Sequence, residues 1–190
     1  MKDYLQQIRT YIDTAMDKKE RILIAIDGSC TAGKTTLANQ LAQIYDCNVI
    51  HMDDFFLRPE QRTEARYAQP GGNVDYERFR EEVLIPLQSG LPFSYHPFDC
   101  GSFTLALPVT VTPKKLTIVE GTYSQHPYFE NPYDLKFFLT VTPEIQRQRI
   151  LARPAFLHQR FFAEWIPMEH TYFDTFGIPS HADLVLSTEQ

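Results

Sequence analysis

The stretch IAIDGSCTAGKTTLANQLA, residues 24–42, decides how the rest of the chain is read. A short apolar run opening at Ile22 ends in Asp27-Gly28, and a helical pattern follows from Thr35 to Ile44. A continuous apolar run of that length reads as a strand buried on both faces, as in parallel sheets covered by helices. Between strand and helix, Gly28-Ser29-Cys30-Thr31-Ala32-Gly33-Lys34-Thr35 matches G-x-x-x-x-G-K-[ST], with Thr36 behind it. Glycine and threonine stabilise such a junction poorly, so packing does not explain them. Phosphate binding does. Consecutive backbone N–H groups wrap phosphates, glycine permits the dihedrals and the close approach, and the helix aims its positive N-terminal end at the same anion. In this motif Lys34 reaches the β- and γ-phosphates and the Thr35 hydroxyl ligates Mg²⁺, so ATP and Mg²⁺ are the cofactors expected on residues 28–36.

Outward from that stretch, similar apolar runs recur at 48–55, 115–121, 135–141 and 182–187. Helical patterns lie between them at 76–88, 143–152 and 155–176, with Pro167 expected to break or kink the last. Leu5, Ile8, Ile12 and Met16 recur at helical spacing and predict an amphipathic helix over 3–18. Buried strands alternating with helices predict a three-layer α/β fold: one domain over 1–190, with a parallel sheet of about five strands flanked by helices. Polar residues 58–73 read as a mobile surface loop, and 89–113 as a small inserted hairpin. Trp165 and its aromatic neighbours are expected in the core, as is His51.

Composition narrows the function class. A formal charge of −6 argues against a nucleic-acid partner, and no apolar run is long enough to span a bilayer. Cys30, Cys47 and Cys100 form no C-x-x-C pair, so neither a disulfide framework nor a zinc site is expected. Cys30 lies close to a helix N-terminus but is expected to be incidental. The charged N-terminus lacks an apolar signal core, and the chain reads as cytoplasmic with a small-molecule substrate.

A phosphate loop alone leaves GTPases, ATPase motors and small-molecule kinases open. No N-K-x-D guanine-reading motif is present. The strand LTIVEG ends in a single acid, Glu120, placed to support Mg²⁺ but with no water-activating acid beside it. HMDDFF puts Asp53 and Asp54 at the C-terminal end of a predicted strand, the edge where open α/β sheets bind ligands. Alternation would send the two carboxylates to opposite faces, leaving one to accept a substrate hydroxyl's proton and align its oxygen.

The combination of DGSCTAGKTTLA, VIHMDDFF, GGNVDYERF, HPFDC, IVEG and the late Pro167, Glu169, Tyr172 and ADLVL pattern covers residues 21–186. It resembles the uridine kinase–phosphoribulokinase–pantothenate kinase group of P-loop kinases, and within it the uridine kinase-like proteins. The resemblance implies a sheet with strand one between strands three and four, and a catalytic Asp at Asp53. It implies a helical lid, here about 147–162, in which Arg149 and Arg153 clamp phosphates, with Arg147 and Arg160 behind them. Arg149 and Arg153 are four apart and share a helix face. Tyr95, His96, Phe98 and Asp99 fall where the group keeps aromatic and acidic residues against a nucleobase. Asp75 stands either as a ribose ligand or as the N-cap of the helix at Tyr76. Phe56 stands where uridine kinases have Tyr, and Asn73-Val74-Asp75-Tyr76 replaces their His-Pro-Asp segment. The implied activity is transfer of the ATP γ-phosphate to a hydroxyl of a small molecule, a nucleoside first. Pantothenate, a sugar phosphate, nicotinamide riboside and a non-catalytic ATP-sensing module stay open, as do GTP as donor and a homo-oligomeric state.

Overall fold

The computed structural model describes residues 2–188. Helix α1 (Lys2–Met16) leads into β1 (Ile22–Gly28), the phosphate-loop segment, α2 (Lys34–Ala42) and β2 (Cys47–His51). The inserted segment holds β3 (Phe93–Tyr95), β4 (Phe98–Asp99), β5 (Thr104–Leu105) and β6 (Val109–Val111). The chain then returns through β7 (Leu116–Glu120), β8 (Leu135–Thr140) and β9 (Leu184–Ser187). The main sheet has the order β2-β7-β1-β8-β9, every pairing parallel, so its first strand lies between its third and fourth as expected. The inserted segment is one long hairpin: β3 pairs with β6, and β4 with β5 nearer its tip.

Alternation along β1 divides the core. Ile22, Ile24 and Ile26 face the layer holding α1 and α2, where Ile8, Ile12, Leu37 and Leu41 are fully or almost fully buried. Ala25 faces the other layer, built from the helical runs 76–89 and 158–176 through Phe79, Tyr172 and Phe173. Each large side chain so buried contributes about 2–3 kcal/mol from lost apolar surface.

Two prolines fall inside helical runs and are absorbed alike. A π-helical turn at Arg80–Leu84 comes just before Pro86, and another at Phe161–Trp165 just before Pro167. Proline lacks an N–H and its ring collides with the carbonyl four residues back; widening the preceding turn removes that conflict. Pro167 therefore neither breaks the run nor ends it.

The strand expected over 48–55 stops at His51, and Met52–Phe55 form one 3₁₀ turn. Side chains three apart eclipse in such a turn. Met52 and Phe55 both drop into the core, which leaves Asp53 and Asp54 on the outer side. Strand alternation therefore does not govern the two carboxylates. The loop 58–73 is also more ordered than its composition suggests. It contains a 3₁₀ turn (Pro59–Gln61) and a one-turn helix (Glu64–Tyr67). Arg66 anchors it by donating to the Gly72 and Val74 carbonyls and to both Glu77 carboxylate oxygens. Among the described residues no helix is long and apolar enough to cross a membrane.

His126 ties this loop to the 158–176 run. Its ring stacks on Tyr76 at 4.4 Å and lies parallel to Tyr172 at 6.0 Å. The Tyr128 N–H donates to Nδ1, so the network assigns the proton to Nε2, which faces the Pro70 carbonyl at 3.3 Å. Burial pushes its pKa down to about 4 from 6.5. A depressed folded pKa gives stability that is complete above pH 6.5 and is lost as pH falls toward 4. Urea unfolding should show wild type losing about 3 kcal/mol more than His126→Gln between pH 7 and pH 4. Equal losses would contradict a neutral, buried His126.

Candidate active site

The loop after β1 is shaped by three left-handed residues: Gly28 (φ 137°), Thr31 (φ 60°) and Gly33 (φ 95°). Gly28 permits no side chain, because a Cβ there would sit 2.0 Å from the Leu139 carbonyl oxygen. Gly33 is the N-cap of α2 and contributes no capping side chain. The first-turn amides of α2, from Lys34, Thr35 and Thr36, are thus left without a side-chain cap. Ser29 donates its N–H to the Leu139 carbonyl, and Ala32 donates back to Ser29, which fixes the loop's curl.

Lys34 lies buried under this loop. Its ammonium donates to the Gly28 carbonyl (2.7 Å), the Ser29 carbonyl (2.9 Å) and the Thr122 hydroxyl (3.1 Å). Its charge also holds down the pKa of three carboxyls that burial raises: Asp27, Asp53 and Glu169. Asp27 is fully buried at the end of β1 and accepts four hydrogen bonds, from the Gly28, Tyr123 and Gln125 amides and the Tyr172 hydroxyl. It thereby joins the loop, the turn after β7 and the 158–176 run at one point. Neither Asp27 nor Glu169 was given a task from sequence; the strand-end aspartate reads as part of an ordinary apolar run.

Parallel pairing of β2 and β7 sets His51 beside Glu120 at the carboxyl edge of the sheet. Glu120 Oε1 accepts the Thr35 hydroxyl at 3.0 Å and lies 2.6 Å from His51 Nδ1. This hydrogen bond raises the His51 pKa above its usual value. His51 is half-buried behind Glu120 rather than in the core, and it does not line the cavity. Asp53 projects from the 3₁₀ turn with its carboxyl open to cavity solvent but surrounded by protein. That enclosure raises its pKa, with Lys34 opposing. Asp54 is instead engaged by the Tyr95 hydroxyl at 3.0 Å.

One cavity of about 470 Å³ gathers Lys34, Thr35, Asp53, Glu120 and Glu169. Its loop end is formed by Cys30, Thr31 and residues 33–36, and Asp53, Glu120, Glu169, Arg149 and Arg153 face it. Its apolar lining is Phe56, Tyr123, Leu157, Phe161 and Trp165, with Asn73. Trp165 and Phe161 meet edge to face at 4.5 Å on that wall, so this aromatic pair lines the site rather than filling the core. Hydrophobic periodicity cannot separate a core stripe from a cavity wall.

Of the four arginines expected in a lid, Arg149 lies in the helix Pro143–Leu151 and Arg153 beyond its end, so these two do not share a helix face. Arg149 donates to the Thr31 carbonyl (3.0 Å) and the Thr188 carbonyl (2.8 Å), and Arg153 lies 5.5 Å from the Phe161 ring. Arg147 and Arg160 stack on Phe162 and Trp165 and do not line the cavity. Asp75 is buried, caps the helix by accepting the Arg78 N–H (3.2 Å), and is paired with the Arg78 guanidinium. The N-cap alternative is the one observed. Tyr95 is buried against Phe55, Phe98 is buried beneath Arg62, and Asp99 closes its own turn through Gly101 and Ser102. Neither Asp75 nor any of these three lines the cavity; the hairpin packs on the Phe55 turn instead of facing the loop.

The fold has solved counterparts. A "possible uridine kinase" from Bacillus stearothermophilus matches at TM-score 0.66 and 23% identity, covering 95% of this chain and 99% of that one. A "putative fructose transport system kinase" from Silicibacter sp. TM1040 matches at TM-score 0.68 and 20% identity, covering 96% and 98%. The chain has the P-loop kinase fold. That fold also occurs, at TM-score 0.60 and 11% identity over 98% of both chains, in the circularly permuted YFH7 of Saccharomyces cerevisiae. No protein-family model and no curated protein matches the sequence. In this P-loop kinase fold the loop, Glu120 and Asp53 stand at the carboxyl edge of the sheet, where the order reverses around β1.

Proposed function

We propose that the chain is an ATP-dependent phosphotransferase that moves a γ-phosphate to a hydroxyl of an uncharged small molecule, with a nucleoside as the acceptor class. The observation that carries this is a single cavity in which Lys34 and the uncapped N-terminus of α2 face Asp53. The loop amides hold the polyphosphate, and Lys34 exchanges the carbonyls it now binds for phosphate oxygens. Asp53 accepts the acceptor hydroxyl's proton and aligns its oxygen, the positioning on which phosphoryl transfer depends. Arg149 and Arg153 add positive charge at the cavity's edge. Thr35 and Glu120 present hard oxygen donors of the kind Mg²⁺ takes. Held there, Mg²⁺ would supply charge neutralisation for the triphosphate.

The wall supports the acceptor class. Among the described residues lining the cavity, the only Lys or Arg side chains are Lys34, Arg149 and Arg153. A phosphorylated acceptor would need a cation of its own beyond those that serve ATP. Phe56, Tyr123, Phe161 and Trp165 instead offer flat apolar surface suited to a base. Under this reading Asp75 caps its helix and Tyr95 holds Asp54, while Phe98 and Asp99 shape the hairpin. Three free cysteines suit a reducing compartment such as the cytoplasm. Incubation with γ-labelled ATP and a panel of nucleosides, vitamins and sugar phosphates tests the proposal. A labelled nucleoside is expected; tight ATP binding with no labelled acceptor would favour an ATP-sensing module instead.

A further inference from the structure

Glu169 is a carboxylate on a phosphate-loop amide, and the reaction just proposed gives it no task. It lies two residues beyond Pro167 in the 158–176 run and is 5% exposed. Oε2 accepts the Cys30 N–H at 2.9 Å, and Oε1 lies 3.4 Å from the Thr122 hydroxyl. That hydroxyl donates to the Gly28 carbonyl and accepts from Lys34. Cys30, Lys34 and Glu169 line the same cavity, as do Phe161 and Trp165 from the run that carries Glu169. An amide of the proposed phosphate loop is therefore filled by a carboxylate from the run that carries Phe161 and Trp165.

We propose that Glu169 is a positioning residue: it holds the 158–176 run on the phosphate loop and yields when a triphosphate enters, so nucleotide occupancy moves that run and the aromatic side chains it carries into the cavity. The proposal rests on the nucleotide reading above. Its basis is like-charge exclusion, since a carboxylate and a phosphate cannot share a partly desolvated seat without mutual repulsion. Glu169→Gln keeps the shape and an accepting oxygen but removes the charge. ATP brings one phosphate more than ADP and gains more from that removal. Trp165 is the only tryptophan in the chain and lies about one helical turn from Glu169, so its emission reports the run's position.

Titration of wild type and Glu169→Gln with Mg·ATP and Mg·ADP, by calorimetry and by Trp165 fluorescence, tests the coupling. The ratio Kd(ADP)/Kd(ATP) is expected to rise about five- to tenfold in the variant, the scale of one ordinary coupling between sites. Ligand-free variant emission should resemble that of wild type with ATP. An unchanged ratio, or equal weakening of both nucleotides, would mark Glu169 as a plain structural strut and overturn the proposal. Should the variant fail to melt cooperatively, wild type decides: a larger Trp165 response to ATP than to ADP supports the coupling, and equal or absent responses overturn it. Wild type binding neither nucleotide would remove the proposed function and the coupling together; binding of both with an unchanged ratio removes the coupling alone.

Discussion

Asp53→Asn is expected to lower turnover at least a hundredfold while changing ATP affinity less than about threefold, since positioned proton acceptors contribute roughly 10²–10⁴. The substitution is nearly isosteric, and Asp53 sits on the outer side of a 3₁₀ turn whose hold on the core is Met52 and Phe55. Folding should therefore survive. Asn cannot accept the hydroxyl proton, so the loss should fall on kcat rather than on nucleotide binding. The pH profile gives a second signature. Enclosure raises the Asp53 pKa above the ordinary carboxylate value of 3.8. The base is lost as pH falls through that raised value, so the acid limb of wild-type activity should lie above the usual carboxylate range, and the variant's residual rate should lack it. Steady-state kinetics with whichever acceptor the panel identifies decide the matter. Retention of more than a few per cent of activity would move the base to Asp54, which the Tyr95 hydroxyl now engages.

Lys34→Ala should act on binding and catalysis together. ATP affinity is expected to fall about ten- to a hundredfold, and turnover on the order of 10²–10³-fold, because charge-assisted contacts to phosphate strengthen further in the transition state. It should also melt at lower temperature. Lys34 is the cation whose charge lowers the pKa of Asp27, Asp53 and Glu169, and its removal leaves Asp27 and Glu169 buried with less compensation. Calorimetric titration with Mg·ATP below the melting transition separates the two effects. An unaffected ATP affinity would contradict the phosphate cradle.

The frame of the molecule was legible because local signals there agree with tertiary demands. The five apolar runs, the phosphate-loop spacing and the helices between them are local patterns, and the strand order followed from the resemblance they carry together. The site was legible only in part. Asp53 stood out as a residue type, but its placement depends on a 3₁₀ turn fixed by Met52 and Phe55 reaching the core together, which a strand-like apolar run conceals. Tyr95 and Phe98 are aromatic for packing, whereas Phe161 and Trp165 are aromatic on the cavity wall, and periodicity looks alike in both cases. Glu169 and Asp27 were out of reach for another reason. Their partners lie 139 residues away at Cys30 and 98 residues away at Gln125, and no spacing rule brings such pairs together. Pro167 leaves its mark as a π turn within the run rather than as its end, a distinction the one-dimensional rule does not make.

A crystal structure with a non-hydrolysable ATP analogue and Mg²⁺ tests the central claim most directly. The account predicts the triphosphate on the amides of residues 28–36, Lys34 moved from the Gly28 and Ser29 carbonyls onto phosphate, and the Asp53 carboxylate facing the terminal phosphate. Nucleotide bound elsewhere, or the Asp53 carboxylate turned to bulk solvent, would contradict it.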